Sequence, residues 1–151
     1  ILRECLASIR GLYEGIEIES LGQVITGTIQ NNREDISHNL LATLLFGAGF
    51  DIFDLGDNIL PELLIKKTKE LSPDLVVISG LDEDSVEMMI ETTNSFIKSG
   101  ITSKLIVGPI IGMSYIFTID EDLRKIIQAD AFINDLVDVG DLAKELMKGE
   151  I

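Results

Sequence analysis

Polar and acidic side chains follow two of the apolar runs in this sequence. Gln30–Ser37 comes directly after the β-branched run Gln23–Ile29, and Gly80–Asp84 comes after the run Asp74–Ser79. If the two runs are neighbouring parallel strands, both polar segments lie at the same edge of a sheet, where ligands of such sheets bind. Carboxylate oxygens suit Mg²⁺ or Ca²⁺, but the spacing of these acids matches no known metal loop. The two segments are therefore the first place to look for function.

The sequence lacks the residues that most catalytic sites require. It has one histidine, His38, and one cysteine, Cys5, and no phosphate-binding glycine motif, Ser–His–Asp set or CxxC pair. A general base at Glu34 or Asp82 would have no partner residue in the pattern. We interpret His38 as a solvated or capping residue at a helix start, with a metal-ligand or pH-sensing role as the alternative. The sequence therefore favours a non-catalytic carrier or binding module.

Composition disfavours two classes of partner. The chain has 151 residues and a net charge of −14, from 26 acidic and 12 basic residues, which disfavours contact with nucleic-acid phosphates. No apolar run reaches the roughly 18 residues that a membrane span needs. We expect a cytoplasmic protein that binds neither nucleic acid nor membrane.

The segment Gly22–Gly56 predicts one βαβ unit. Gln23–Ile29 is apolar and β-branched, Asn39–Gly47 has leucines at near-helical spacing, and Phe50–Leu55 alternates apolar and acidic residues. The two strands of such a unit run parallel, with the helix packed on one face. This unit sets the architecture expected for the rest of the chain.

The remaining segments continue the alternation of strands and helices. Further strands are expected at Asp74–Ser79, Lys104–Val107 and Ala131–Ile133, and further helices at Glu62–Leu71, Ser85–Ser99, Asp120–Ile127 and Asp141–Lys148. Asp135–Gly140 is expected to be a loop, and Asp120 or Thr118 to cap its helix. The prediction is an α/β fold, a doubly wound parallel five-stranded sheet of the Rossmann-like or flavodoxin-like type. An amphipathic helix closed by Gly15 would form an N-terminal extension over residues 1–19, and residues 20–151 would form the α/β domain.

The order and spacing of these pieces resemble the cobalamin (B12)-binding domain of corrinoid proteins, such as those of methyltransferase systems and methionine synthase. The resemblance covers about residues 20–148. It rests on Gly27-Thr28-Ile29, Asp35-Ile36, Asn39, Ala48-Gly49-Phe50, Asp54-Leu55-Gly56, Pro61, Ser79-Gly80-Leu81, Val107-Gly108 and Ala129-Asp130. The N-terminal helix looks like a remnant of the helical cap of that family.

The first family signature, DxHxxG, is degenerate here. In the family its His is the lower axial ligand of cobalt and its Asp hydrogen-bonds that His, as second-shell carboxylates do. The three positions align with Asn32, Glu34 and Ser37, so none of the residue types is kept. Glu34 takes the position of the cobalt-ligating His, and its oxygens are harder donors than imidazole. The resemblance implies a corrinoid bound without that ligand, with these three residues under the ring, or with His38 as ligand in a shifted register.

The other two signatures concern the nucleotide tail of the cofactor. The SxL motif is kept as Ser79-Gly80-Leu81, and the glycine pair after the fourth strand becomes Gly108-Pro109. The resemblance implies that Ser79, Leu81 and Gly108 line the tail. Pro109 is expected to narrow the space for it, because proline adds ring volume where the family has glycine.

Two functions follow from the resemblance. The first is a cobalamin-binding corrinoid protein that passes methyl groups between partner methyltransferases. The alternative is a degenerate module that binds no corrinoid and acts in interaction or regulation, and another cofactor such as haem is a third possibility. The acids also have plain interpretations: Asn31, Asn32, Glu34 and Asp35 as a solvated loop and helix cap, and Asp82, Glu83 and Asp84 as an acid-rich start of a helix.

Overall fold

The computed structural model describes residues 20–29, 37–111 and 117–149, and for Ser37 and His38 it describes the backbone alone. The predicted N-terminal helix, the domain boundary at residue 19, and the candidate site residues Asn32 and Glu34 lie outside the described residues.

The apolar runs form a five-stranded parallel sheet. Its strands are β1 (Gln23–Thr28), β2 (Asp51–Asp54), β3 (Leu75–Leu81), β4 (Lys104–Pro109) and β5 (Ala131–Phe132), in the spatial order β2-β1-β3-β4-β5. Val24 of β1 pairs with Ile52 of β2 and with Leu75 of β3. This order reverses direction between β1 and β3, which is the switch point at which doubly wound sheets bind ligands. The predicted fold class is confirmed.

Helices follow the strands as the periodicity predicts. They are α1 (Ser37–Gly47), α2 (Pro61–Leu71), α3 (Val86–Lys98), α4 (Glu121–Ile126) and α5 (Val139–Met147), with a 3₁₀ turn at Leu136–Asp138. Pro61 is at the first position of α2, where its missing N–H costs nothing. The carboxylate of Asp120 accepts a hydrogen bond from the Leu123 N–H and caps α4. Of the two caps predicted for this helix, Asp120 and Thr118, the structure confirms Asp120. No described helix is long and apolar enough to cross a membrane.

Both faces of the sheet are covered, which explains why its central strands are apolar throughout. Val24, Val77 and Ile106 face a cluster that contains residues of α1 and α5. Their neighbours along the strands, among them Ile25 and Val76, face a second cluster with residues of α2 and α3 and residues beside α4. We call these the α1/α5 face and the α2/α3 face. Successive side chains of a strand alternate between them.

Several predicted boundaries are shifted, and three of these errors have an identifiable physical cause. β3 continues to Leu81 instead of ending at Ser79, and β4 continues to Pro109 instead of Val107. The pairing register between them shifts past Ile78, so that Leu81 lies opposite Pro109. Proline is tolerated where a ladder is irregular.

The third error is at Asp135–Gly140, which was expected to be a loop. The Asp135 carboxylate accepts a hydrogen bond from the Val137 N–H, and this contact starts the 3₁₀ turn that leads into α5 at Val139. Capping by an aspartate therefore converts the predicted loop into helical structure.

Candidate functional site at the carboxyl edge

Strands β1, β3 and β4 end side by side at one edge of the sheet, which we call the carboxyl edge. Thr28 of β1 pairs with Ser79 of β3. A Cβ atom built at Gly108 of β4 would lie 3.8 Å from the Cβ of Ser79. Strand alternation places all three residues on the α1/α5 face. The fold thus brings together two of the predicted site residues, Ser79 and Gly108, and adds Thr28 to them.

Thr28 and Ser79 form a buried hydroxyl pair. Thr28 Oγ1 and Ser79 Oγ lie 2.9 Å apart, and Ser79 Oγ is also 3.4 Å from the Gly27 carbonyl oxygen, to which it can donate. The residues are 1% and 0% exposed, so each hydroxyl needs a protein partner. The Ser79 hydroxyl, expected to contact a nucleotide tail, is therefore satisfied by the protein itself.

Gly108 leaves a space that another side chain fills. A Cβ atom at this position would lie 2.9 Å from Cδ1 of Ile133, closer than such atoms approach in proteins. Ile133 follows β5 directly, is 2% exposed, and packs in the cluster of the α1/α5 face. Its backbone N–H donates to the Val107 carbonyl at 3.0 Å. The bare Cα of Gly108 is thus covered by Ile133.

The other two tail residues expected from the sequence lie differently. Leu81 is fully buried and belongs to the cluster of the α2/α3 face. Pro109 follows Gly108 in the same strand, so alternation directs it away from the α1/α5 face. Pro109 was expected to narrow the space beside Gly108, whereas the side chain that covers this glycine is Ile133.

The acids after β3 have a structural role. Ser85 Oγ donates to the Gly80 carbonyl at 3.0 Å and accepts from the Asp82 N–H at 2.8 Å. The Asp82 carboxylate accepts from the Asp84 N–H at 3.0 Å. These bonds form the turn that precedes α3, with Asp82 buried and with Glu83 and Asp84 exposed. They support the plain interpretation of the acids, although the acids precede the first helical turn instead of forming it.

Nothing in this arrangement resembles a cage for a simple cation. Within residues 20–29, 37–111 and 117–149, no three His, Cys, Asp or Glu side chains are grouped so that they could hold a metal ion. The Mg²⁺ or Ca²⁺ alternative therefore gains no support from this part of the chain.

The motif Asp54-Leu55-Gly56 helps to position the end of β1. The Asp54 carboxylate accepts from the Gly56 N–H at 3.0 Å, and Thr26 Oγ1 lies 3.4 Å from the same oxygen. The Gly56 carbonyl in turn accepts from the Thr28 N–H at 3.0 Å. A turn after β2 thus fixes the backbone of Thr28, which holds its hydroxyl beside Ser79.

Sequence reasoning missed Thr28 and Ile133 as parts of the site. Thr28 stands within the quoted Gly27-Thr28-Ile29 motif, and its place at a strand end is the signal that could have found it. Ile133 is an ordinary apolar residue after a short strand, and nothing in the sequence pairs it with Gly108.

A cavity of about 500 Å³ lies at the opposite edge of the sheet. It is bounded by the end of α3, by α4 and by the residues that lead into β4 and β5. None of the residues predicted from the sequence to form a site lines it. The sequence argument and this cavity thus point to opposite edges of the sheet.

The family model described as the B12 binding domain matches residues 22–133, which include Thr28, Ser79, Gly108 and Ile133. The chain belongs to the B12-binding domain family. This match confirms the resemblance drawn from the sequence motifs.

Corrinoid proteins among the relatives agree with this assignment. Trimethylamine corrinoid protein 2 of Methanosarcina acetivorans is 29% identical over 116 residues, which cover 69% of this chain and 54% of that protein. The chain thus spans about half the length of the curated relatives it matches.

Solved structures that are similar in fold include two B12 proteins. The methanol:cobalamin methyltransferase complex MtaBC from Methanosarcina barkeri matches with a TM-score of 0.76 at 17% identity, over 98% of this chain and 55% of that chain. A cobalamin-binding protein from Desulfitobacterium hafniense matches with a TM-score of 0.72 at 23% identity, over 92% of this chain and 64% of that chain. At these identities the likeness concerns the fold.

Proposed function

We propose that this chain is the corrinoid-binding module of a methyl-transfer system. It would hold cobalamin over the carboxyl edge and serve protein methyltransferases as a carrier, without catalysing the transfer alone. The family match and the corrinoid proteins among its relatives support this function. The similar fold in MtaBC, a methanol:cobalamin methyltransferase complex, supports a protein methyltransferase as partner.

One observation carries the proposal beyond the family match. Ser79 and Gly108, the two residues at which the tail signatures are kept, lie side by side on one face of the sheet. Ser79 pairs with Thr28 where the strand order reverses between β1 and β3, the position at which sheets of this order bind ligands, and Gly108 lies beside it on β4. Two separate sequence signatures thus converge on one location.

The residues at the carboxyl edge fit a bound cobalamin only in part. A hydroxyl pair and a bare glycine could contact a nucleotide tail, but Ser79 is bonded to Thr28 and Gly108 is covered by Ile133. Leu81 and Pro109 would support the strand ends from the other face, and Asn32, Glu34 and Ser37 would lie under the ring. When bound, the corrinoid supplies cobalt, which accepts and releases a methyl group.

The lower side of the cobalt would lack the histidine of the family signature. Glu34 stands at the aligned position, and a carboxylate is a poorer match to cobalt than imidazole is. We propose that the protein provides no lower ligand and that the metal keeps water or the base of the cofactor there. Loss of that ligand would change the reactivity of a bound cobalt, while the sheet edge would still hold the cofactor.

The direct test is to mix the purified chain with hydroxocobalamin, remove free cofactor by gel filtration, and record the visible spectrum of the protein fraction. We expect a red protein with close to one corrinoid per chain. Ser79→Ala should weaken retention about fivefold, the loss expected for one hydrogen bond. The control is Ser103→Ala, which removes a hydroxyl bonded to the Pro73 carbonyl at the opposite edge. A colourless protein fraction would contradict the proposal.

A second function is favoured by the same contacts. A module that has lost its corrinoid would be expected to fill the vacated space with its own side chains, as Ile133 does at Gly108. Such a module would act through protein contacts in interaction or regulation. It predicts no coloured complex with any corrinoid, so the same experiment separates the two functions.

A further inference from the structure

Ile133 and a nucleotide tail would need the same space. Gly108 is the residue whose missing side chain is expected to admit the tail, and Cδ1 of Ile133 lies within van der Waals reach of its Cα face. Both cannot contact this face at once, because interiors are packed without spare volume. Any tail that reaches Gly108 must first displace Ile133.

The displacement has a physical cost. Ile133 is 2% exposed and packs among residues of α1 and α5. As a β-branched side chain it has few alternative rotamers, and its backbone N–H is bonded to the Val107 carbonyl. The free energy needed to move the Ile133 side chain out of the cluster would therefore be subtracted from the binding free energy of the cofactor.

We propose that Ile133 is a gate residue that sets the affinity of this chain for the nucleotide tail of a corrinoid. The inference rests on the proposed function and deepens it. The inference concerns the nucleotide tail alone, because the corrin ring would lie above the edge and would not occupy the space beside Gly108. A corrinoid without a tail should therefore be insensitive to Ile133.

Two corrinoids separate these contributions. Hydroxocobalamin carries the nucleotide tail, and diaquacobinamide has the same ring without it. Their dissociation constants are measured by absorbance titration for the wild type and for Ile133→Ala. We expect Ile133→Ala to bind cobalamin about tenfold more tightly than the wild type does, which equals about 1.4 kcal/mol. Its affinity for cobinamide should stay within about twofold of the wild-type value.

The matched control is Leu146→Ala. Leu146 belongs to the same cluster and is also 2% exposed. It lies near the end of α5, next to Met147, whose Cε atom is 2.8 Å from a Cβ built at Gly22 before β1. The cavity made by this variant is thus located at the other edge of the sheet. Its affinity for both corrinoids should equal that of the wild type.

Ile133→Val covers the case in which the alanine variant does not fold. It removes Cδ1, the atom that contacts Gly108, and should tighten cobalamin binding about threefold with no change for cobinamide. Equal changes for both corrinoids, or no change for either, would overturn the gate while leaving the proposed function intact. Failure of both corrinoids to bind any of the variants or the wild type would overturn the proposed function and the gate with it.

Discussion

Two glycines near the carboxyl edge, one on each face of the sheet, are covered in the same way. Gly27 of β1 is covered by Ile59, which follows the neighbouring edge strand β2. Gly108 of β4 is covered by Ile133, which follows the opposite edge strand β5. Ile59 packs in the cluster of the α2/α3 face and Ile133 in that of the α1/α5 face. On each face, an isoleucine that follows an outer strand thus covers a glycine of an inner strand.

The two contacts differ in closeness and in surroundings. A Cβ atom at Gly27 would lie 1.8 Å from Cδ1 of Ile59, whereas the corresponding distance from Gly108 to Ile133 is 2.9 Å. Gly108 also has Ser79 and its hydroxyl pair as a neighbour. A glycine at a strand end can therefore serve packing alone. The hydroxyl pair beside Gly108 distinguishes a candidate ligand position from a purely structural one.

The largest expected effect is that of Gly27→Ala. The added Cβ would overlap the end of Ile59, which is 3% exposed and cannot move into solvent without leaving the core. We expect the free energy of unfolding to fall by about 3 kcal/mol, the upper part of the range for overpacked cores. Urea denaturation followed by circular dichroism measures the change.

The control for this variant is Gly47→Ala. Gly47 ends α1 and has no heavy atom within 4 Å of a built Cβ, so its replacement should change stability by less than about 0.5 kcal/mol. A cost for Gly27→Ala that is smaller than the cost for Gly108→Ala would break the comparison between the two faces.

The fold could be predicted from the sequence because its signals are local. The β-branched runs that became β1 and β3, the proline that starts α2, and the aspartate that caps α4 each act within a few residues. Two of the failures were caused by an interaction between strands, whereas the error at Asp135–Gly140 came from a local aspartate cap. The ends of β3 and β4 depend on a register shift between Ile78 and Leu81, and no pattern within either strand shows it.

The sequence predicted which strand ends carry the candidate site, but not the contacts that their residues make. Ser79 and Gly108 follow apolar runs, so a parallel sheet must bring them to one edge. The contact between Gly108 and Ile133 joins two strands and depends on how far β5 extends, which single-sequence periodicity cannot give. Asn32 and Glu34 lie outside the described residues, so their placement under a ring remains a prediction.

The second prediction tests the hydroxyl pair that distinguishes the Gly108 face. Ser79→Ala removes the partner of the buried Thr28 hydroxyl, and Thr28→Val leaves the Ser79 hydroxyl with only its longer contact to the Gly27 carbonyl. We expect each to lower the free energy of unfolding by about 1 to 2 kcal/mol. The double variant should cost less than the sum of the two, because both partners are then gone. Urea denaturation of the four proteins gives the coupling energy.

Thr43→Val is the matched control for the threonine substitution. The Thr43 hydroxyl donates to the Asn39 carbonyl within α1 and has a half-buried environment. Its loss should cost less than about 0.5 kcal/mol, since such back-bonds add little to a helix. Strict additivity of Thr28→Val and Ser79→Ala would mean that the two hydroxyls do not depend on each other.

The smallest expected effect, and the sharpest test of the difference between the two glycines, is Gly108→Ala in two backgrounds. In the wild type the one atom that would crowd the new Cβ is the terminal Cδ1 of Ile133 at 2.9 Å, since its other neighbours are at 3.8 Å. A small shift relieves the contact, and the cost should be about 1 kcal/mol. In Ile133→Val that carbon is absent, and alanine is favoured over glycine within a strand. The substitution should then be neutral or stabilise the protein by up to about 0.5 kcal/mol.

The matching pair on the other face of the sheet is Gly27→Ala in the Ile59→Val background. This pair should recover only part of the stability that Gly27→Ala loses, because Cγ1 of Ile59 still lies 3.0 Å from the new atom. Equal costs of Gly108→Ala in both backgrounds would show that Ile133 does not occupy the space beside Gly108, and the gate would lose its structural basis.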